Sequence, residues 1–509
     1  AQADVELHWN LVEKALYGAV KTAKPTFITT EIAHYLMSLL VSDYRQTGCL
    51  DTIGTPAQLA LQIINNMNLA AMSGNYLEEP FLRILETETD SERARAIEEA
   101  LDIAQEFRKN CLESRCFDYS LVVEAYNTIL LPDPEYREML AARYQALIMD
   151  NLEESVPAQT DLATVMLQNC ISYAAFDPTG GHYRFFGADP DYAWDTLNPL
   201  YEISWCNSNP NEELARTVTD NIKNGRVIGR CRTDVPLFTM ISHDYRSENI
   251  LWLANQIEAL IADGCPPNEI AVVAPVIDRV LDISLTTLIK NKEIPFEAVN
   301  RKELLSDQEF AQVMVSLAAL IEGEPPSVTE LSRALSLILE MDPIRSNILA
   351  KFCAVKGIEE PLPVDLLTRV GFAAGSRYDE FREWILAKRE EVSGEGSIFQ
   401  QLFSEVVSTL IHEHTDIIAS RQVIKSAIAF ESAHQEIEAL KQKPFLQSFV
   451  DMIRQGTVAA EANRLIRSED KSVVLATPLG IFRSGRPFKY QFWLDVSSSL
   501  WFPRNVTEL

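Results

Sequence analysis

Leu147-Ile-Met-Asp-Asn-Leu-Glu-Glu-Ser-Val-Pro-Ala-Gln159 opens on apolar residues, reaches an acid at Asp150 and then turns polar. The run that feeds it, Tyr144-Gln-Ala-Leu-Ile-Met149, reads as a buried strand of a parallel sheet, because such strands are near-continuous apolar runs rather than alternating ones. A second run, Asn169-Cys-Ile-Ser-Tyr-Ala-Ala-Phe176, ends in Asp177 and reads the same way. A strand that delivers an acid pair to its C-terminal end is a common way to hold magnesium. The first carboxylate binds the ion's shell and the second accepts a proton from the attacking water. Here the pair is Asp150 and Asn151, and an amide cannot take up a proton at neutral pH, so the general-base role is empty unless another residue supplies it. Taken alone, the stretch is weak evidence for a nucleotide site, since a strand end with Asp and Asn starting a turn is common.

Outward from this stretch the chain alternates in character. The first 45 residues read as helix, a short strand at Thr26 to Thr30, then an apolar helix through Leu39 and Leu40. From Cys49 to about Arg115 the periodicity is helical, with Ser91 placed to cap a helix whose apolar face runs Ala94, Ile97, Leu101, Ala104 and Phe107. A strand-and-helix unit begins at Pro236. It predicts strand Leu237 to Ile241, helix Ser247 to Ala262, strand Glu269 to Ala274, helix Asp278 to Lys290 and strand Phe296 to Val299, an alternation that implies a parallel sheet. Residues from about Gln308 to Arg467 return to helical periodicity, and strands at Ser472 to Ala476 and Lys489 to Val496 are expected to complete the second sheet across that insertion.

Bulk properties set the frame. The 509 residues are too many for one core and predict roughly three or four domain-sized units. A formal net charge of -28 excludes a surface that is basic throughout, so any nucleic-acid groove must be local. The acidity is segregated: Glu78 to Glu124 holds 13 acids against 6 bases, whereas Lys471 to Arg504 holds 5 bases against Asp495 alone. Eight scattered cysteines without a CxxC pair point to a reducing, cytoplasmic setting, with Cys111 and Cys116 as ordinary buried thiols. No apolar stretch approaches the length of a membrane span and the acidic N-terminus lacks a signal pattern, so no membrane partner is expected. His412-Glu-His414 has the wrong spacing for a zinc site on a helix, and Asp379, Glu380, Arg382 and Glu383 read as a solvated, charge-paired helix face. A first residue that is Ala and an end at Leu509 without a closing element are what a fragment would show.

In order and spacing, several segments resemble the UvrD/Rep/PcrA-like superfamily 1 DNA helicases. Residues 147–159 resemble motif II (DEFQDTN followed by PAQ). Phe176-Asp-Pro-Thr-Gly-Gly-His-Tyr-Arg-Phe-Phe-Gly-Ala-Asp-Pro190 looks like motif III (GDxxQSIYRFRGA), and His243-Asp-Tyr-Arg-Ser-Glu-Asn249 is similar to motif IV (NYRS). Val474-Leu-Ala-Thr-Pro-Leu-Gly480 with Ser484-Gly-Arg-Pro-Phe488 stands at the place of motif V. The resemblance spans roughly residues 26 to 503. It implies an α/β fold with two RecA-like parallel-sheet lobes of the P-loop NTPase kind, each with a helical insertion. The first lobe takes residues 1–48 and 116–235 with its insertion at 49–115, and the second takes 236–307 and 468–509 with its insertion at 308–467.

The same resemblance assigns Asp150 to magnesium and Asp150 with the degenerate Asn151 to catalysis. It assigns Asp177 and Arg246 to nucleotide, and Tyr183 and Phe185 to stacking on bases of single-stranded DNA. The departures are chemical: Asn151 for the catalytic Glu, Gly180 for the motif III Gln, Phe186 for the Arg before Gly-Ala, and a motif V without its His, Lys and Glu. None of the 19 glycines is followed by Lys, so the chain has no GxxxxGK[ST] phosphate loop, and motif VI is also missing. ATP and Mg2+ are therefore expected only in a parent protein that supplies the loop, and no cofactor is expected for this chain alone. The implied function is single-stranded DNA binding in repair or recombination by a helicase-like protein, with the ATPase absent in this chain and atypical in the parent. A non-catalytic scaffold subunit beside a nuclease or other repair-complex partner, and a protein-interaction module that has lost DNA binding, are the alternatives.

Overall fold

The computed structural model describes residues 1–18, 24–50, 54–178, 180–205, 241–299, 304–391, 396–411, 414–457 and 471–501. The chain is mostly helical and carries small parallel sheets. Its described residues form two compact units, one built from residues within 1–197 and 304–457, the other from residues within 198–299 and 471–501.

The first unit is organised around the helix Glu309–Glu322, whose residues from Val313 to Ile321 are all buried. A helix that is apolar on all sides belongs at the centre of a core, and the helices Val328–Ile338, Phe372–Glu391, His414–Glu436 and Phe445–Arg454 pack on it. It ends at Gly323 in the left-handed region (φ 91°), whose N–H donates to the Leu320 carbonyl at 3.2 Å, and Arg389 donates from Nε and one Nη to the same carbonyl at 2.9 and 2.7 Å. The N-terminal helices Thr30–Gln46, Pro56–Met72 and Ser91–Glu113 share this core. Tyr35 meets Phe430 with ring centroids 6.1 Å apart, and the Ser38 hydroxyl donates to Gln455 Oε1 at 2.8 Å. The helical stretch expected as an insertion of the second lobe therefore shares its hydrophobic core with residues near the N-terminus.

Local signals act as their chemistry dictates. Thr55 with Gln58 and Ser327 with Glu330 form capping boxes. The cap of Ser91–Glu113 is Asp90 rather than Ser91, because the Asp90 carboxylate accepts from the N–H groups of Glu92 and Arg93. Cys111 and Cys116 are buried free thiols. Burial pushes both up, Cys116 to about 11.

Two strand pairs belong to this unit. Strand β1 (Thr26–Phe27) pairs in parallel with β2 (Cys116–Phe117), and β3 (Ala146–Met149) with β4 (Ile171–Ala174). The second pair has the parallel arrangement expected but not the burial: Ile148 is 80% exposed, and Ile171 and Tyr173 are each 70% exposed.

In the second unit, strands β5 (Ile270–Val273), β6 (Phe296–Ala298), β7 (Val473–Ala476) and β8 (Tyr490–Trp493) form one parallel sheet in the order β6-β7-β5-β8. The two late strands thus complete the sheet begun before the long helical stretch. Ile270, Val272, Val473 and Leu475 face the helices Arg246–Ala262 and Arg279–Lys290, while Ala271, Val474 and Ala476 face Ile481 and Phe488 on the other side. Most of the strand expected at Leu237 to Ile241 lies outside the described residues, as do His412 and Glu413. Among the described residues, no helix is long and apolar enough to cross a membrane.

Candidate functional site

Parallel pairing of β3 with β4 brings their C-terminal ends side by side, Met149 opposite Ala174. The ladder continues one step further, with Ala175 N–H donating to Met149 O at 2.9 Å and Leu152 N–H to Ala175 O at 3.1 Å. Asp150 and Asp177 consequently emerge in one region, each on the loop that follows its strand. The Asp150 carboxylate accepts from the Asn151 N–H at 3.0 Å, and Asn151 takes the left-handed conformation (φ 53°) that Asn tolerates better than most residues. Asn151 cannot replace a carboxylate as a proton acceptor.

The two loops are fastened by residues that the sequence reading passed over. Glu153, only 5% exposed, accepts the Asp177 N–H at 3.0 Å. Glu154 receives three consecutive backbone donors. Gly181 N–H and His182 N–H reach its Oε1 at 3.1 and 2.8 Å, and Tyr183 N–H reaches Oε2 at 2.7 Å. Hydrogen bonds to an ionised acceptor are the stronger kind. The backbone donors carry no side-chain signature, which is why spacing alone does not reveal the fastening. Gly180 fits the same arrangement: a Cβ there would lie 2.4 Å from Glu153 Cγ, so the position has no room for a side chain while Glu153 stays in place.

What the fastened loop presents is aromatic. A single 3-10 turn, Arg184–Phe186, groups Tyr183, Phe185 and Phe186, with centroids 6.4 Å (Tyr183 to Phe185), 6.1 Å (Tyr183 to Phe186) and 4.3 Å (Phe185 to Phe186) apart. Phe185 is 43% and Phe186 46% exposed. Phe186 therefore joins the two residues singled out from sequence. The turn is closed by Phe186 N–H to Tyr183 O at 2.8 Å, and Arg184 pairs with Asp191 at 2.9 Å. Next to it, Phe176 packs on Trp194 at 4.9 Å and the Asp189 N–H bonds to Ser155 O, tying the aromatic turn back to the first loop.

Arg246 lies in the other unit, at the first position of the helix Arg246–Ala262 and at the C-terminal edge of the four-stranded sheet. It donates to Asp278, which follows β5 and caps the helix Arg279–Lys290, at 2.7 Å, and to Asp495, which follows β8, at 2.9 Å. Partial burial alone would lower the guanidinium's pKa, but the two carboxylates outweigh it and raise it. Burial likewise pushes Asp278 up, and the Leu281 N–H with Arg246 more than reverses this, holding its carboxyl below the usual range. Arg246 is thus committed to two acids of its own unit.

The convergent amides of residues 181–183, the kind of donor set that cradles phosphate, are taken by Glu154. Among the described residues, no group of three His, Cys, Asp or Glu side chains is arranged to hold a metal ion. Compared with models of protein families and with the curated proteins, the sequence finds no match.

Proposed function

We propose that this chain binds single-stranded DNA through the turn carrying Tyr183, Phe185 and Phe186, and that it is a divergent body of the UvrD/Rep helicase kind working in DNA repair or recombination. The observation that carries the reading is the half-exposed ring cluster, hung from the C-terminal ends of two parallel strands and fixed there by carboxylates. Aromatic faces accept any base, and stacking on them is worth about 1–3 kcal/mol per base. In this reading the four-stranded sheet, with helices on one face and Ile481 and Phe488 on the other, is one RecA-like lobe, and β3 with β4 belongs to a second. ATP and magnesium act only in a longer parent that supplies a phosphate loop, and the chain by itself does not hydrolyse nucleotide.

The test is equilibrium binding of a fluorescein-labelled oligothymidylate at several salt concentrations. Replacing Tyr183 and Phe185 together by Ala is expected to weaken binding about tenfold or more. Affinity should also fall with salt for the unaltered chain, because phosphates release counterions on contact. Unchanged affinity in the double variant removes the assignment. A second reading, a non-catalytic scaffold subunit that holds DNA for a nuclease or repair partner, is favoured over a motor by Glu154 occupying the loop's amides and by Gly180 having no room for a sensing side chain.

A further inference from the structure

We infer that Glu153 and Glu154 are positioning residues that hold the aromatic turn in its presented form without any nucleotide, so that the grip on single strands is permanent rather than gated. The inference rests on the DNA reading above and adds how that site is regulated.

Three consecutive amides, those of Gly181, His182 and Tyr183, point at one carboxylate within 2.7–3.1 Å, so the backbone that leads into the ring cluster is fixed just before the first ring. The preceding step of the loop is fixed by the second acid, since Asp177 N–H donates to Glu153 at 3.0 Å. Gly180 lies between these two anchors, and Glu153 fills the volume that a side chain at position 180 would need. A run of amides converging in this way is the usual receptor for an exogenous anion, such as a phosphate. Here both carboxylate oxygens of Glu154 saturate it. A free phosphate competing for these amides would have to displace a tethered carboxylate at very high effective concentration. The loop therefore has nothing to gain from nucleotide, and its rings stay ordered whether or not nucleotide is present.

Charge and position make opposite predictions for Glu154, which gives the test its sign. An acid near a DNA-binding turn repels phosphate, so removing its charge would strengthen binding if repulsion were its whole effect. A positioning role predicts the reverse. In the full chain, Glu154→Ala should weaken oligothymidylate binding about tenfold, since charge-assisted bonds to three donors are lost. Glu154→Gln should fall between the two, because one amide oxygen still serves two donors while its NH2 faces the Tyr183 N–H. Addition of MgATP should leave the affinity of the unaltered chain unchanged.

Amide hydrogen exchange provides a readout independent of DNA. Residues 181–183 should exchange slowly in the unaltered chain, equally so with MgATP, and at least about tenfold faster in Glu154→Ala, with the helix Pro157–Leu167 unaffected. Tighter DNA binding by Glu154→Ala, or exchange at 181–183 that is already fast or is slowed by MgATP, overturns the inference. If the unaltered chain fails to bind the oligonucleotide, the DNA reading falls and the exchange experiment still decides whether the acids hold the turn.

Discussion

Strands β5 and β7 read Ile270-Ala-Val-Val273 and Val473-Val-Leu-Ala476, and every one of these residues is buried. Strands β3 and β4 are also short apolar parallel strands, yet on one face Ala146 and Ile148 lie opposite Ile171 and Tyr173, and all four side chains are exposed. The difference teaches that an apolar run specifies the strand but not its cover. Parallel sheets are normally covered on both faces, as the second unit's is, and a two-stranded piece gains little from its own ladder. The unit that carries the aromatic turn therefore orders its loops by another means, carboxylates against backbone amides. Rigidity in the second unit comes from burial, and at the candidate site it comes from charge-assisted hydrogen bonds.

The largest effect expected from this contrast is in the second unit. Leu475→Ala should destabilise it by about 2–5 kcal/mol, the usual range for a large-to-small change in a closed core. Ile148→Ala, at a side chain left 80% exposed, should change stability by no more than about 0.5 kcal/mol. Amide exchange of β5 and β7 in the first variant, and of β3 and β4 in the second, reads the two numbers separately. Comparable losses at both sites would mean that β3 and β4 are covered in solution, and the contrast would disappear.

A smaller effect belongs to the fastened loop. Gly180→Ala places a Cβ against Glu153 Cγ, and overpacking of this kind costs about 1–3 kcal/mol. Removing the obstacle should relieve it. In a double-mutant cycle, Gly180→Ala with Glu153→Ala should cost less than the sum of the single changes, with a coupling of about 1 kcal/mol. Strict additivity in thermal unfolding would show that Glu153 swings away freely and does not occupy position 180's space.

How much of this was legible in the sequence depends on whether the deciding interaction leaves a side-chain pattern. The central strands β5 and β7 of the second sheet were legible, because unbroken apolar runs bounded by helical periodicity encode burial on both faces. So was the neighbourhood of Asp150 and Asp177, each an acid at the end of a strand-like run. Glu153 and Glu154 were not, since their partners are amides that every residue carries. The commitment of Arg246 was also hidden, because Asp278 and Asp495 are brought together by the sheet order β6-β7-β5-β8, which places β5 beside β8 although some 200 residues separate them. The shared core of residues 304–457 with the N-terminal helices was invisible for the same reason: periodicity marks an apolar face without naming what it meets.

The smallest predicted effect concerns that hidden triad and is one of pH. The Leu281 N–H and the Arg246 guanidinium hold Asp278 below its ordinary value, so together they contribute stability that is present above the unfolded carboxylate value of about 3.9 and is lost as pH falls through the lower folded value. Arg246→Ala removes the guanidinium's part of this increment and leaves the Leu281 N–H bond to Asp278 in place. The variant should therefore be less stable than the parent at pH 7 by a modest amount, since both acids and the guanidinium are partly solvated and such pairs are worth about 0.2–1 kcal/mol each. The gap should narrow on acidification below about pH 4, as Asp278 takes up a proton and the parent loses that ion pair. Thermal unfolding of both proteins at neutral and acid pH measures it. A gap that stays constant with pH would show that Arg246 supports its unit by packing its aliphatic stem, and that the two acids contribute nothing to holding it.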